Sequence, residues 1–182
     1  KDGWGCDRNP VIYSGTNKEY FQPREKIKNL KTNIVTHHWS DNPLKGHDIY
    51  QQLDEWIKDH PDFTFTYIGR SHGELKNTRM ISPTFGLDLG KKLSQYDVYI
   101  SASRFDPGPN HIIESVACGI PTYAHVDSGG GIELVGNDHV YSGFDNLKNI
   151  LLSGDHNLNR GYQPTDWETC IKSYFSYILE LF

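Results

Sequence analysis

Between Asn33 and Ser153, short runs rich in β-branched and aromatic residues alternate with segments of helical period, and no other feature restricts the fold of this chain as strongly. The runs NIVTHH, FTFTYIG, DVYISAS and PTYAHV predict strands, with TRMIS and HVY as shorter ones. Between them, Asp48 to Lys58 carries Ile49, Leu53, Trp56 and Ile57 at i, i+4, i+7 and i+8, a single apolar stripe that predicts a helix. GLDLGKKLSQ, NHIIESVAC (closed by Gly119) and DNLKNILL predict three more helices. Strands alternating with helices make βαβ units, hence an α/β domain whose parallel sheet is covered on both faces. The closing segment TDWETCIKSYFSYILELF predicts a last, aromatic-rich helix, with Thr165 and Glu168 at capping-box spacing. Residues 1 to 30 are polar and turn-rich apart from an extended piece at Val11 to Tyr13, and the glycines of VDSGGGIELV predict a turn.

The chain's 182 residues suffice for one well-cored domain, at roughly 100 to 200 residues per domain. A net charge of -5 excludes the global basic footprint of a nucleic-acid binder, so any anion site must be local. No apolar run reaches the length of a membrane span. Cys6, Cys118 and Cys170 are odd in number and widely spaced, which argues against a disulfide framework or zinc cluster and reads as reduced thiols in a cytosolic chain. The N-terminus KDGWGCDRNP lacks both an initiating Met and a signal-peptide pattern, and is expected to have been cut from something longer.

In open parallel sheets, ligands bind beyond the carboxyl ends of the strands. Lys45 and Gly46, Gly69 and Arg70, Asp106 to His111, and Ser128 to Gly131 all follow predicted strands. In SRFDPGPNHIIESVACGIP, Pro109 suits the first turn of a helix, so Asn110 and His111 would offer free backbone N–H groups to a phosphate. Glu114 lies about one turn further on, where a carboxylate can accept two hydrogen bonds from the vicinal hydroxyls of a ribose; Asp106 can do the same for a sugar. The same residues also fit a capped helix with an acidic surface position. In HHWSDNPLKG, Lys45 can neutralise a diphosphate, with a donor from His38 or Ser40, or can simply be solvated. The adjacent His37 and His38 find no third ligand at a recognised metal spacing, and in a strand they face opposite sides. The G-x-G-x-x-G and Walker patterns are absent, which counts against a nicotinamide enzyme and a P-loop enzyme.

Taken in order, these pieces resemble the C-terminal, donor-binding half of retaining glycosyltransferases of the GT-B fold, the glycogen-synthase-like group 1 family. Lys45-Gly46 matches the family's Lys-Gly after the first strand. Asp106 and Glu114, with seven residues between them, match its paired acids and are followed by the matching stop in ESVACGIPTYA. GGGIELV resembles its glycine turn, VIYSGTNKEYFQP the end of its N-terminal domain, and TDWETCIKSYFSYI its C-terminal helix. The sequence departs from the family in having Asp106 where Glu is usual, Pro109 where Gly is common, and no Arg before Lys-Gly, with His38 as its nearest stand-in.

The resemblance implies a Rossmann-like domain over residues 31 to 182, including a C-terminal crossover helix, preceded over 1 to 30 by a linker from a missing N-terminal domain. It implies metal-independent, retaining hexosyl transfer from a UDP- or GDP-linked sugar, with no further cofactor and with this piece inactive alone. Asp106 and Lys45 would be catalytic. Lys45, His38, Asn110 and His111 would bind the diphosphate and Glu114 the ribose, while Gly69, Arg70, Met80, Ile81 and Pro83 would flank the base. A glycan or lipid-linked acceptor would be held by the missing domain, as would any peripheral contact with a membrane. The rival expectations are a sugar-nucleotide epimerase or hydrolase on the same half-site, and a sugar-nucleotide-binding domain without chemistry.

Overall fold

A computed structural model describes residues 11–27 and 29–180. Six strands form one sheet: β1 (Thr32–His38), β2 (Phe63–Gly69), β3 (Arg79–Ile81), β4 (Val98–Ser101), β5 (Thr122–His125) and β6 (Val140–Tyr141). Every pairing is parallel and the order is β3-β2-β1-β4-β5-β6. The connections are α1 (His47–Ile57), α2 (Gly86–Leu93), α3 (Asn110–Ala117) and α4 (Gly131–Val135); α5 (Phe144–Ser153) and α6 (Trp167–Leu179) follow the sheet. The predicted α/β architecture is therefore present, with α4 where only a glycine turn is predicted. Five residues are too few to register a helical period.

The strand order reverses between β1 and β4, and this places a crevice at their carboxyl ends. β1 pairs with β2 along seven residues, from Thr32↔Phe63 to His38↔Gly69, and with β4 through Ile34↔Val98 and Val35↔Tyr99. Alternation along β1 separates two cores. Ile34 packs with Tyr50, Leu53, Phe65, Tyr67 and Ile100 beneath α1 and α5, whereas Val35 packs with Leu89, Leu93, Tyr99, Cys118 and Ile120 on the other face. A third cluster, Ile112, Ile113, Ala124, Leu134 and Val135, seats α3 and α4 against β5. Burying each such side chain contributes roughly 1.5–3 kcal/mol, so α3, with Ile112 and Ile113 both essentially inaccessible, is among the best-anchored elements.

The segment before β1 is more closely attached than its polar composition suggests. Phe21 is buried in the second cluster, Thr16 N–H donates to the Thr165 carbonyl at 2.8 Å, and the Tyr13 ring lies 4.9 Å from that of Tyr162. Val11 to Tyr13 form no strand. α6 is capped by Asp166, whose carboxylate accepts the Thr169 N–H at 2.7 Å, and not by Thr165, whose backbone carbonyl is taken up by Thr16. Cys118 and Cys170 are buried and unbridged, and burial pushes the Cys118 thiol up to about 12; Cys6 lies outside the described residues. No helix among the described residues is long and apolar enough to cross a membrane.

Candidate functional site: a cavity at the sheet switch point

The reversal of strand order opens a cavity of about 480 Å³ over the ends of β1 and β4, with His37, Lys45, Asp106, Asn110, His111 and Glu114 in its wall. The loop after β1 is shaped locally. The Asn42 side chain accepts the Leu44 N–H at 2.9 Å and Pro43 opens a 3₁₀ turn, Pro43–Lys45, that places Lys45 over the sheet end. The turn passes into α1 through Gly46, at φ +75°, where a Cβ would stand 2.0 Å from the Ala102 carbonyl oxygen. Only glycine meets both demands. Arg104 N–H donates to the Leu44 carbonyl at 2.8 Å, joining this turn to the loop after β4.

That second loop carries Asp106. Its backbone bridges to Gly129, with Asp106 N–H donating to Ser128 and Gly130 N–H donating to Asp106. The preceding Phe105 holds φ +55°, uncommon for a bulky residue. Lys45 Nζ lies 2.9 Å from Asp106 Oδ2, with both side chains about three-quarters buried or more. The two residues expected to act on diphosphate and sugar thus meet in one ion pair. Pro109 stands one position ahead of its expected place, as the N-cap of α3. Ile112 N–H is the first to bond back, to the Pro109 carbonyl at 2.9 Å, so the amides of Asn110 and His111 head the helix with its positive end at the cavity.

Three histidines form another part of the wall. His38 and His111 have ring centroids 4.9 Å apart, and His37 and His111 6.2 Å. His38 Nε2 lies 2.7 Å from Tyr50 Oη, and its Nδ1 is buried without a hydrogen-bond partner among the described residues. His111 Nε2 lies 2.8 Å from Ser101 Oγ. Burial, reinforced by the neighbouring histidines and Lys45, pushes both His38 and His111 well below the usual histidine range. His38, the nearest stand-in for the family's Arg, is therefore held as a neutral imidazole and brings no positive charge to the cavity.

The expected ribose contact, Glu114, also lines the cavity, and it is held from behind by a residue set aside in the sequence. His37 Nε2 lies 2.8 Å from Glu114 Oε2, and Tyr99 Oη lies 3.0 Å from His37 Nδ1. Burial raises the Tyr99 hydroxyl well above the usual tyrosine range, so it stays a neutral donor. The signal for this contact lay in strand alternation. Val35 is opposite Tyr99, and two residues further on His37 returns to the same face.

Gly69 and Pro83 line the cavity, but Arg70, Met80 and Ile81 do not. Gly69, at φ +122°, leaves no room for a Cβ beside the His38 carbonyl oxygen, which would be 1.9 Å away. The Arg70 guanidinium lies 4.7 Å from the Trp39 ring centre, and Met80 is an exposed residue of β3. Trp39 and Phe85, which pattern reading does not single out, form the rim instead, with ring centroids 4.9 Å apart. Among the described residues, no group of three or more His, Cys, Asp or Glu side chains is arranged to hold a metal ion.

No protein-family model matches the sequence, and no curated protein matches it. Solved structures do match. Sucrose-phosphate synthase of Thermosynechococcus elongatus aligns over 94% of this chain and 52% of its own at TM-score 0.72 and 16% identity. Anabaena HepE, solved with UDP-glucose, aligns over 94% and 57% at 0.71 and 18%. The C-terminal domain of a group 1 glycosyl transferase, LpcC of Francisella tularensis, aligns over 88% and 98% at 0.60 and 14%. The chain therefore spans about half the length of the two larger proteins and nearly all of a C-terminal domain. Its fold is that of the C-terminal, Rossmann-like half of GT-B glycosyltransferases.

Proposed function

We propose that this chain binds a nucleotide-diphosphate sugar as the donor half of a retaining, metal-independent hexosyltransferase. The observation that carries the reading is the convergence of four ligand-ready features on one cavity at the switch point of the sheet: Lys45, Asp106, the head of α3, and Glu114. Each has a distinct task. Glu114 accepts the ribose hydroxyls. The amides of Asn110 and His111 donate to phosphate oxygens. Lys45 exchanges its partner Asp106 for the diphosphate, and Asp106, so released, turns to the sugar hydroxyls. As negative charge grows on the departing diphosphate, Lys45 and the helix end are already oriented toward it, which is stabilisation without reorganisation. The neighbour solved with UDP-glucose supports a uridine diphosphate donor as the first to try. The acceptor, a glycan or a lipid-linked one, would lie across the cleft on the remainder of a longer enzyme.

A thermal-shift screen of the chain against UDP-, GDP- and ADP-linked hexoses tests the reading. Stabilisation by at least one of these, competed by the matching nucleoside diphosphate, is expected. A flat response to all three would remove it. A UDP-GlcNAc 2-epimerase of Neisseria meningitidis also aligns, over 82% of this chain at TM-score 0.56 and 16% identity. Incubating the full-length enzyme with donor and no acceptor separates that reaction from transfer, because only an epimerase would return an altered sugar.

A further inference from the structure

Glu114 has three side-chain torsions, and its helix position alone does not fix where its carboxylate points. His37 does. The His37 ring is buried, and its Nε2 sits 2.8 Å from Glu114 Oε2, while Glu114 Oε1 makes no hydrogen bond among the described residues. Behind the ring, the fully buried Tyr99 hydroxyl oxygen accepts the His37 backbone N–H at 3.1 Å and lies 3.0 Å from His37 Nδ1. The Tyr99 hydroxyl proton is shared between Nδ1 and the His37 carbonyl oxygen, 3.3 Å away, while the carboxylate, which can only accept, requires a proton on Nε2 in either case. The alternative tautomer would set a bare Nε2 against a carboxylate oxygen, two acceptors face to face.

We infer that His37 is a positioning residue for Glu114, its ring held in place by Tyr99, and that this relay sets the preference of the site for ribose over 2′-deoxyribose. The inference rests on the proposal that Glu114 receives the ribose. With Oε2 tied to His37, the carboxylate plane is fixed and Oε1 keeps its lone pairs for the diol. Without His37, the carboxylate rotates among its wells, and the contact to the 2′-hydroxyl is lost while the diphosphate contacts at Lys45 and α3 remain. Neither His37 nor Tyr99 needs to touch the ligand's reacting atoms for this to hold.

Calorimetry of the whole chain with UDP and 2′-deoxy-UDP, and with GDP and 2′-deoxy-GDP, reads the preference as a ratio of affinities. For the pair that binds, the wild type should favour the ribonucleotide by about tenfold, the size of one good hydrogen bond. His37→Leu should bring the ratio close to one, and Tyr99→Phe, which keeps the ring packing, should lower it severalfold. His37→Gln should retain most of it, because its amide nitrogen reaches the place of Nε2. A general loss of structure would weaken ribo- and deoxy-nucleotide alike and leave the ratio unmoved, so the ratio isolates positioning from folding. If His37→Leu is too unstable to measure, Tyr99→Phe carries the test. A wild-type ratio in Tyr99→Phe and, where it folds, in His37→Leu, with Glu114→Ala abolishing it, would overturn the relay and leave the ribose reading intact. A wild type that binds neither pair or shows no preference, or a Glu114→Ala variant that keeps its preference, would overturn both.

Discussion

The two walls of the cavity are built by opposite means. One consists of His37, His38, His111 and Glu114, carried on a central strand and a buried helix and joined through Tyr99, Tyr50 and Ser101 by hydrogen bonds. The other consists of Lys45 and Asp106, carried on a 3₁₀ turn and a loop, partly open to solvent and joined by charge. The first is held by buried hydrogen bonds and packing; the second is ionic, and its partners can be exchanged. A site that must hold a nucleotide in one pose and yet let a diphosphate leave benefits from this division, with the rigid wall setting geometry and the ionic wall following charge.

The largest effect expected from this contrast is on stability. Because burial holds His38 and His111 below their ordinary range, the unfolded chain takes up protons that the folded chain refuses as pH falls. Their stabilising contribution is complete above the unfolded value near 6.5 and is lost below it, until the folded values are reached. Urea unfolding at pH 7.5 and pH 5.5 should differ by about 2–3 kcal/mol, roughly one unit of titration for each of two histidines. The carboxylates held low by hydrogen bonds, Asp48 and Asp54, act only at more acid pH, whereas His47, His125 and His156, also held low by burial, add to the loss in the same window. Equal stability at the two pH values would mean that the histidine wall is hydrated and not packed.

Next comes Glu114→Ala, which should weaken nucleoside diphosphate binding by about 1.5–3 kcal/mol, ten- to a hundredfold, as expected for charge-assisted hydrogen bonds. Unchanged calorimetric affinity would detach Glu114 from the ribose and make the fixed wall a structural feature only.

The two walls also differed in how much of them could be read in advance. Lys45, Asp106, Asn110 and Glu114 stand just after strands or at a helix head, positions that alternation and turn chemistry mark out, and all four line the cavity. His38 and His111, also singled out in the sequence, line it too, whereas the place of His37 behind Glu114 depends on which strands are neighbours. Tyr99 and His37 are 62 residues apart, and only the β1–β4 pairing makes them adjacent, a long-range fact that local pattern does not carry. The same holds for Phe21, whose polar surroundings in the chain conceal its place in the core. Met80 and Ile81 fail to reach the wall for a related reason: β3 is the outermost strand, one pairing further from the switch point than β2, while Arg70, just after β2, lies against the Trp39 ring instead. The short helix α4 and the Asp166 cap were obscured by glycines and by a neighbouring Thr with the right spacing.

On the ionic wall, Lys45→Ala should weaken nucleoside diphosphate binding by about 1 kcal/mol, near fivefold, with most of that difference disappearing at high salt because the charges are partly solvent-accessible. A loss that persists unchanged in 1 M salt would assign Lys45 to the rigid wall instead.

The smallest and most discriminating change is Asp106→Asn. In the free protein Asp106 competes with any incoming phosphate for Lys45, at 2.9 Å. Removing its charge without altering its size should free Lys45, and the affinity for a bare nucleoside diphosphate should rise by two- to fivefold, about 0.5–1 kcal/mol, the range of a partly exposed ion pair. For the intact sugar nucleotide the gain should be offset by the loss of the carboxylate's bonds to sugar hydroxyls, so the ratio of sugar-nucleotide to diphosphate affinity should fall. Calorimetry with UDP and UDP-glucose in parallel reads both quantities. A parallel fall in the two affinities would show that Asp106 holds Lys45 in its binding position, a support and not a competitor, and the contrast between a fixed and an exchangeable wall would then fail at its ionic end.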